Sequence, residues 1–186
     1  MILHIKNMVC PRCILAIESI LNTQKIDYYN VALGRIELKS ELNNNDLESL
    51  NNSIKELGFE LVSNESDKLI NQIKSYLIEV VNEGSLNSQK NPSQLLEDKL
   101  HKSYGVLSKH FSSVTGTTIE RYLILLRIEK VKELLCYTNL TNSEIAFKEG
   151  YSSAAYLSNQ FKKETGMTPT EFKKMANCDK RSIDTL

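Results

Sequence analysis

The chain lacks tryptophan, a net charge and any long apolar run. Without a stretch of about 18 apolar residues there is no membrane-spanning helix to expect. The opening residues, MILHIKNMVC, place Lys6 early and lack the apolar centre of a signal peptide, so the protein is expected in the cytoplasm. No glycine-rich phosphate loop and no Ser/His/Asp constellation is found, which makes an enzyme the least favoured class. Cysteine is scarce, with four in 186 residues. Cys10 and Cys13 form a CxxC, and in a reducing compartment that spacing serves metal or redox chemistry rather than a structural disulfide.

The charge balance of 23 basic against 23 acidic residues hides an asymmetry. Residues 1–67 hold 6 Lys/Arg and 10 Asp/Glu, whereas residues 68–186 hold 17 and 13. The change of sign points to two functional halves, of which only the second faces nucleic acid. The length allows two small domains.

Thr141 to Phe172 carries the strongest local pattern, TNSEIAFKEGYSSAAYLSNQFKKETGMTPTEF. Ile145 and Ala146 lie in a short helical segment that Gly150 ends. A second helix is expected from Ser152, with Leu157 and Phe161 on one face. Two short helices joined by a glycine-containing turn make a helix-turn-helix, whose second helix can enter a DNA major groove. Lys162, Lys163, Lys173 and Lys174 follow the turn, where phosphate contacts are useful. An earlier copy is visible in SYGVLSKHFSSVTG, because Leu107, Phe111 and Gly116 repeat the offsets of Leu157, Phe161 and Gly166.

Upstream, DKLINQIKSYLIEVV has helical apolar spacing, NEGSLNSQKN reads as a polar loop, and Asn91-Pro92 is a helix start. Ile119 to Tyr137 connects the two copies. It reads as a buried helix, apolar all round from Tyr122 to Leu126. At 1.5 Å per residue it is about 28 Å long, close to the roughly 34 Å between successive major grooves on one DNA face.

SEIAFKEGYSSAAYLSNQFKKETGMTPTEFKK closely resembles the C-terminal signature of the AraC/XylS family of transcription regulators. The resemblance implies an all-α domain with two helix-turn-helix motifs joined by a long helix, binding double-stranded DNA. It points Ser153, Ala154, Ala155, Tyr156 and Asn159 toward the groove in the second motif. In the first it points Tyr104, Val106, Ser108 and Lys109 the same way. Asn159 suits bidentate contact with adenine, alanine methyls suit thymine methyls, and Lys109 suits guanine or phosphate. For each position the alternative is a solvated helix surface. Glu97 stands where the family has a small residue, and Gly105 weakens the first recognition helix by about 1 kcal/mol relative to alanine.

The first 65 residues read as a different module. ILHIK alternates as a strand; Ile14, Ile17, Ile20 and Leu21 share a helical face. NVALGRIELK makes two strands around Gly34. Leu47, Leu50, Ile54 and Leu57 line a second helix, and GFELV closes as a strand. The order βαββαβ is that of an α+β ferredoxin-like plait. A helix N-terminus and Arg12 favour thiolates at Cys10 and Cys13, and two soft thiolates suit Cu(I), whereas structural zinc wants four ligands. Met8 is expected to pack inside and His4 to be exposed rather than ligating. Cys136 reads as a packing residue and Cys178 as part of the tail.

With NMVCPRC in its first turn, this order resembles the heavy-metal-associated domain of copper chaperones and metal-pumping ATPases. Met8, Cys10 and Cys13 match the family's metal-binding pattern; Asn7 replaces a usual glycine and Val9 a usual threonine. Phe59, in LGFEL, matches an aromatic near the metal. Three readings of the CxxC stay open: a metal site, a relic in a domain now used for dimer or partner contacts, and a dithiol redox switch. A thioredoxin-type enzyme is disfavoured, because no tryptophan precedes Cys10.

The expected organisation is a heavy-metal-associated-like domain at 1–65, an AraC-type DNA-binding domain at 67–177 and a mobile tail at 178–186. The expected function is sequence-specific transcription regulation, controlled by Cu(I) or another soft ion at Cys10 and Cys13. A homodimer and a metal donor or regulatory partner at the N-terminal domain complete the expected partners. The alternatives are a metallochaperone or partner-binding protein, and a redox-switched regulator.

Overall fold

Alternation of apolar and polar residues builds the first strand, β1 (Ile2–Lys6), with Leu3 and Ile5 buried and Ile2 exposed. The chain is described from a computed structural model over residues 1–62, 65–84 and 91–177. After β1 come α1 (Pro11–Thr23), β2 (Tyr28–Ala32), β3 (Arg35–Leu38), α2 (Asn44–Glu56) and β4 (Glu60–Leu61). The strands form one antiparallel sheet in the order β2-β3-β1-β4, with Leu3 opposite Ile36 and Ile5 opposite Leu61. Ile17 and Leu21 of α1 and Leu50 and Ile54 of α2 are fully buried with Ile5 and Ile36. Asn43 caps α2, accepting from the Asp46 amide at 2.9 Å.

Among the described residues, helices follow: α3 (Glu65–Glu83), α4 (Pro92–Leu100), α5 (Tyr104–Thr115), α6 (Ile119–Tyr137), α7 (Asn142–Lys148), α8 (Ala154–Thr165) and α9 (Pro169–Asn177). The chain divides into two compact units. One is Met1–Glu79 with Leu96–Ser103; the other is Val80–Leu95 with the chain from Tyr104 onward. In the first, α3 meets the sheet at the β2–β3 turn, where the buried Asn71 side chain donates to the Gly34 carbonyl at 3.0 Å. In the second, Ile128, Val131 and Leu135 of α6 share a core with Ile145 of α7 and Leu157 and Phe161 of α8.

The structure departs from the sequence expectations in particulars. β2 begins at Tyr28, ahead of the expected Asn30, and β4 has only two residues. Leu57 is 53% exposed because it caps α2 rather than continuing its apolar face. The connecting helix is not wrapped on all sides: Leu123 is buried, but Leu125 is 41% exposed. α8 starts at Ala154 with Ser153 as its cap, not at Ser152. His4 is half-buried rather than exposed. Met8 is buried as expected, and α6 has the expected ends. The greater part of the NEGSLNSQKN loop, Cys178 and the tail lie outside the described residues. Among the described residues no helix is long and apolar enough to cross a membrane.

Candidate nucleic-acid interface

Thr141 starts α7 with a capping box. Its hydroxyl accepts from the Glu144 amide at 3.3 Å while the Glu144 carboxylate accepts from the Thr141 amide at 2.7 Å. That backbone donor, with the Thr141 hydroxyl, holds the Glu144 carboxyl below its ordinary pKa. After α7, Gly150 takes φ 68°, a left-handed conformation that costs glycine nothing, and the chain turns into α8. The Ser153 side chain caps α8 by accepting from the Tyr156 amide at 3.1 Å. Gly166 ends the helix in the left-handed conformation.

α5 repeats this construction fifty positions earlier, well beyond the three residues that the sequence pattern shows. Thr115 donates to the Phe111 carbonyl at 2.8 Å, and Thr165 donates to that of Phe161 at 2.8 Å. Thr118 caps α6 through the Arg121 amide, and Thr168 caps the start of α9 through the Glu171 amide. Phe111 lies 5.7 Å from the ring of Tyr122, and Phe161 lies 5.5 Å from that of Phe172. The copies diverge at one cap: Glu171 completes a capping box, whereas Arg121 in the equivalent place pairs with Glu164 of α8.

Arg127 of α6 secures the turn between α7 and α8. Its guanidinium donates to the carbonyls of Glu149 and Gly150 at 2.6 and 3.1 Å and lies 4.8 Å from the centre of the Tyr151 ring. The Glu149 side chain is buried, 1% exposed, and neither carboxyl oxygen has a hydrogen-bond partner. Burial pushes its pKa up to about 7, against the pull of Lys130, Arg127 and Lys148 and with a small push from Glu133. Neither Arg127 nor Glu149 was among the expected site residues.

The expected groove positions sort by their surroundings. Val106 and Tyr156 occupy equivalent places in the two helices, and each is 56% exposed. Lys109 and Asn159, also equivalent, are exposed, as are Ala155, Lys162 and Lys163. On α8 these residues form a continuous stripe at helical spacing. Ser108 is half-buried. Three positions have structural work: Ser153 caps α8, Ala154 packs against the core, and the Tyr104 hydroxyl bonds to Glu120. Burial and then Glu120 raise the Tyr104 pKa above its ordinary value.

The family model described as "Helix-turn-helix domain" matches residues 96–175. Over 72 residues the chain is 39% identical to the HTH-type transcriptional activator RhaR of Salmonella arizonae and of Salmonella newport. That stretch is 39% of this chain and 26% of each relative, so the chain spans about a quarter of the length of the curated relatives it matches. Residues 96–175 are thus similar to the helix-turn-helix domain of these transcription regulators. The solved C-terminal domain of AraT, a response regulator from Geobacillus stearothermophilus, is 26% identical with a TM-score of 0.50, covering 57% of this chain and 84% of that one. A DNA-binding transcriptional dual regulator from Escherichia coli K-12, 21% identical with a TM-score of 0.50, covers 57% of this chain and 93% of that one and shows the same fold.

Outside the helix-turn-helix domain, the cysteine loop is shaped by three residues. Asn7 takes φ 72° in the place where the resemblance has glycine, and its side chain donates to the Gly58 carbonyl at 2.9 Å. Cys10 is the N-cap of α1, with Pro11 behind it in the first turn. The Cys10 and Cys13 sulfurs lie 3.6 Å apart, and the Val9 amide approaches Cys13 Sγ at 3.5 Å. Burial by itself would raise the Cys10 thiol, but contacts from Cys13, the Arg12 amide and the Arg12 charge outweigh it and lower the pKa. Phe59 is buried. Two soft donors of this kind can grip a thiophilic ion or exchange with a disulfide.

Proposed function

We propose that the chain is a cytoplasmic, sequence-specific regulator of transcription that binds double-stranded DNA, and that it is not an enzyme. The observation that carries this is the paired register of α5 and α8, with Val106 and Lys109 equivalent to Tyr156 and Asn159 on the exposed faces. α6 joins them as the connecting helix, its 19 residues giving a length of about 28 Å. The Lys162–Lys163 pair on α8 supplies phosphate contacts. The test is selection of duplexes from a random library by the full chain, followed by binding across a salt series. A selected sequence should bind at least about a thousandfold more tightly than random duplex, with log affinity falling linearly against log salt. Failure to select any sequence would sink the proposal and favour a metallochaperone or another partner-binding protein.

The reading extends to a heavy-metal-associated-like domain at 1–65, a DNA-binding domain at 67–177, and control of the second by the first, alone or in a homodimer. Support for a ferredoxin-like plait comes from the order βαββαβ and from four antiparallel strands arranged β2-β3-β1-β4. Support for a soft ion such as Cu(I) comes from the two sulfurs at 3.6 Å and the lowered Cys10 pKa. Cys10 and Cys13 would hold such an ion through their thiolates. Among the described residues no group of three or more His, Cys, Asp or Glu gathers to make a fuller site. A dithiol switch uses the same pair. By linkage, DNA must change ion affinity by the factor that the ion changes DNA affinity. Cu(I) affinity measured with and without the selected duplex checks this, and equal values would sink the coupling. Genome-wide binding by wild type and Cys10→Ser/Cys13→Ser, with and without copper, separates a sensor from a structural module.

A further inference from the structure

Three buried polar side chains meet at the turn between α7 and α8 with atoms left unmatched. Among the described residues, both carboxyl oxygens of Glu149, the Tyr151 hydroxyl and Arg127 Nε have no hydrogen-bond partner. Glu149 is 1% exposed. An unmatched buried carboxyl is tolerated while neutral, but once ionised it must draw in a donor.

The charged groups around it are already engaged. α6 turns Lys130, Arg127 and Glu133 toward this carboxyl, and α7 turns Lys148. From α8, Tyr156 and Glu164 bear on Tyr151 instead. Lys130 pairs with Glu133 at 2.9 Å. Arg127 Nη2 donates to the carbonyls of Glu149 and Gly150 at 2.6 and 3.1 Å, with its guanidinium against the Tyr151 ring. The guanidinium therefore clamps the backbone of the very residue whose carboxylate would compete for it. Gly150, in the left-handed conformation, follows at once, and Ser153, the cap of α8, stands three residues beyond it.

We propose that Glu149 is a proton switch for DNA binding: its neutral form leaves Arg127 on the turn carbonyls and α8 set for the groove, whereas its ionised form draws Arg127 away and loosens the entry to α8. The consequence for DNA rests on the function proposed above; the change at the turn does not. The proton leaves the Glu149 carboxyl for solvent, and no other group need change charge. Burial raises this carboxyl to about 7, so the neutral, binding-competent fraction is large at pH 6 and about tenfold smaller at pH 8.

Two measurements on the full chain, wild type and Glu149→Gln, test the switch. The ¹⁵N-labelled amides of Gly150, Tyr151 and Ser153 should shift with a midpoint near pH 7 in wild type and stay still in Glu149→Gln. The selected duplex, titrated at constant ionic strength, should bind wild type about tenfold more weakly at pH 8 than at pH 6. Glu149→Gln should bind it equally at both, with the wild-type affinity of pH 6. His110 of α5 is present in both proteins, so its contribution cancels in the comparison. Unmoved wild-type amides, equal wild-type affinity at the two pH values, or the same fall in Glu149→Gln would each overturn the switch and leave DNA binding intact. No duplex bound at either pH would remove the function proposed above, and the switch with it.

Discussion

Arg127 donates to the backbone carbonyl of Glu149 at 2.6 Å, yet the carboxyl of the same glutamate lies buried with no hydrogen bond at either oxygen. The cost depends on pH. The unfolded glutamate ionises near 4.5, whereas burial raises the folded group to about 7. Below the first value both states are protonated and nothing is lost. Between the two the native state holds a proton that the unfolded state releases, so stability falls as pH rises. Above about 7 the whole cost is present, at most about 3 kcal/mol. Glu149→Gln should therefore be more stable than wild type at pH 8 and nearly equal to it at pH 4.5. Urea unfolding of both proteins across this range checks the prediction; a difference that stays constant with pH would refute it.

Arg127 also compensates that charge. Arg127→Met strips two carbonyls of their donor and leaves Glu149 beside fewer cations, so a loss of about 3 kcal/mol is expected at pH 8. In a Glu149→Gln background the loss should be smaller by about 1 kcal/mol or more, because no buried charge is stranded. The double-mutant cycle at pH 8 reads this directly. Additive losses would mean that the arginine acts only through the turn carbonyls.

Features with a local cause were legible in the sequence. The ends of α6 follow from the Thr118 cap and its apolar spacing, and the start of α4 from Asn91 and Pro92, with Asn91 accepting from the Gln94 amide at 3.0 Å. Where two residues offer the same chemistry, position was lost: Ser152 and Ser153 can each cap a helix, and it is Ser153 whose hydroxyl accepts from the Tyr156 amide. β4 is a strand only because Leu61 and Glu60 pair with Ile5 and Lys6, far away in the chain. The run Leu123-Ile124-Leu125-Leu126 hides which side is inward, and only Leu123 is buried. At the candidate interface, positions such as Asn159 were pointed to by the family resemblance, and Asn159 is exposed. Glu149 was missed because its neighbour Arg127 is 22 residues upstream.

Two glycines with the same backbone isolate the close approach at the β2–β3 turn. Gly34 and Gly58 have φ of +79° and +81°, but a Cβ at Gly58 meets nothing within 4 Å. Gly58→Ala should cost only the left-handed strain, about 1 kcal/mol. Gly34→Ala must also displace Ser75 and Asn71, and should cost roughly 1–3 kcal/mol more. Thermal unfolding of the two variants measures the gap, and equal losses would mean that α3 yields freely at this contact.

On α8, phosphate and base contacts predict different losses. Lys162→Ala/Lys163→Ala should weaken selected and random duplexes alike and flatten the log–log salt slope by about 0.9 per lysine. Asn159→Ala should leave that slope unchanged and cost about 1–3 kcal/mol on the selected duplex alone, because the loss falls on one base pair. Exposure alone does not distinguish these roles, since all three side chains are solvent-facing. Anisotropy titrations of wild type and both variants, on selected and random duplexes at four salt concentrations, tell them apart. If Asn159→Ala weakened both duplexes equally, the residue would contact the backbone, and base reading would pass to its exposed neighbours Ala155 and Tyr156.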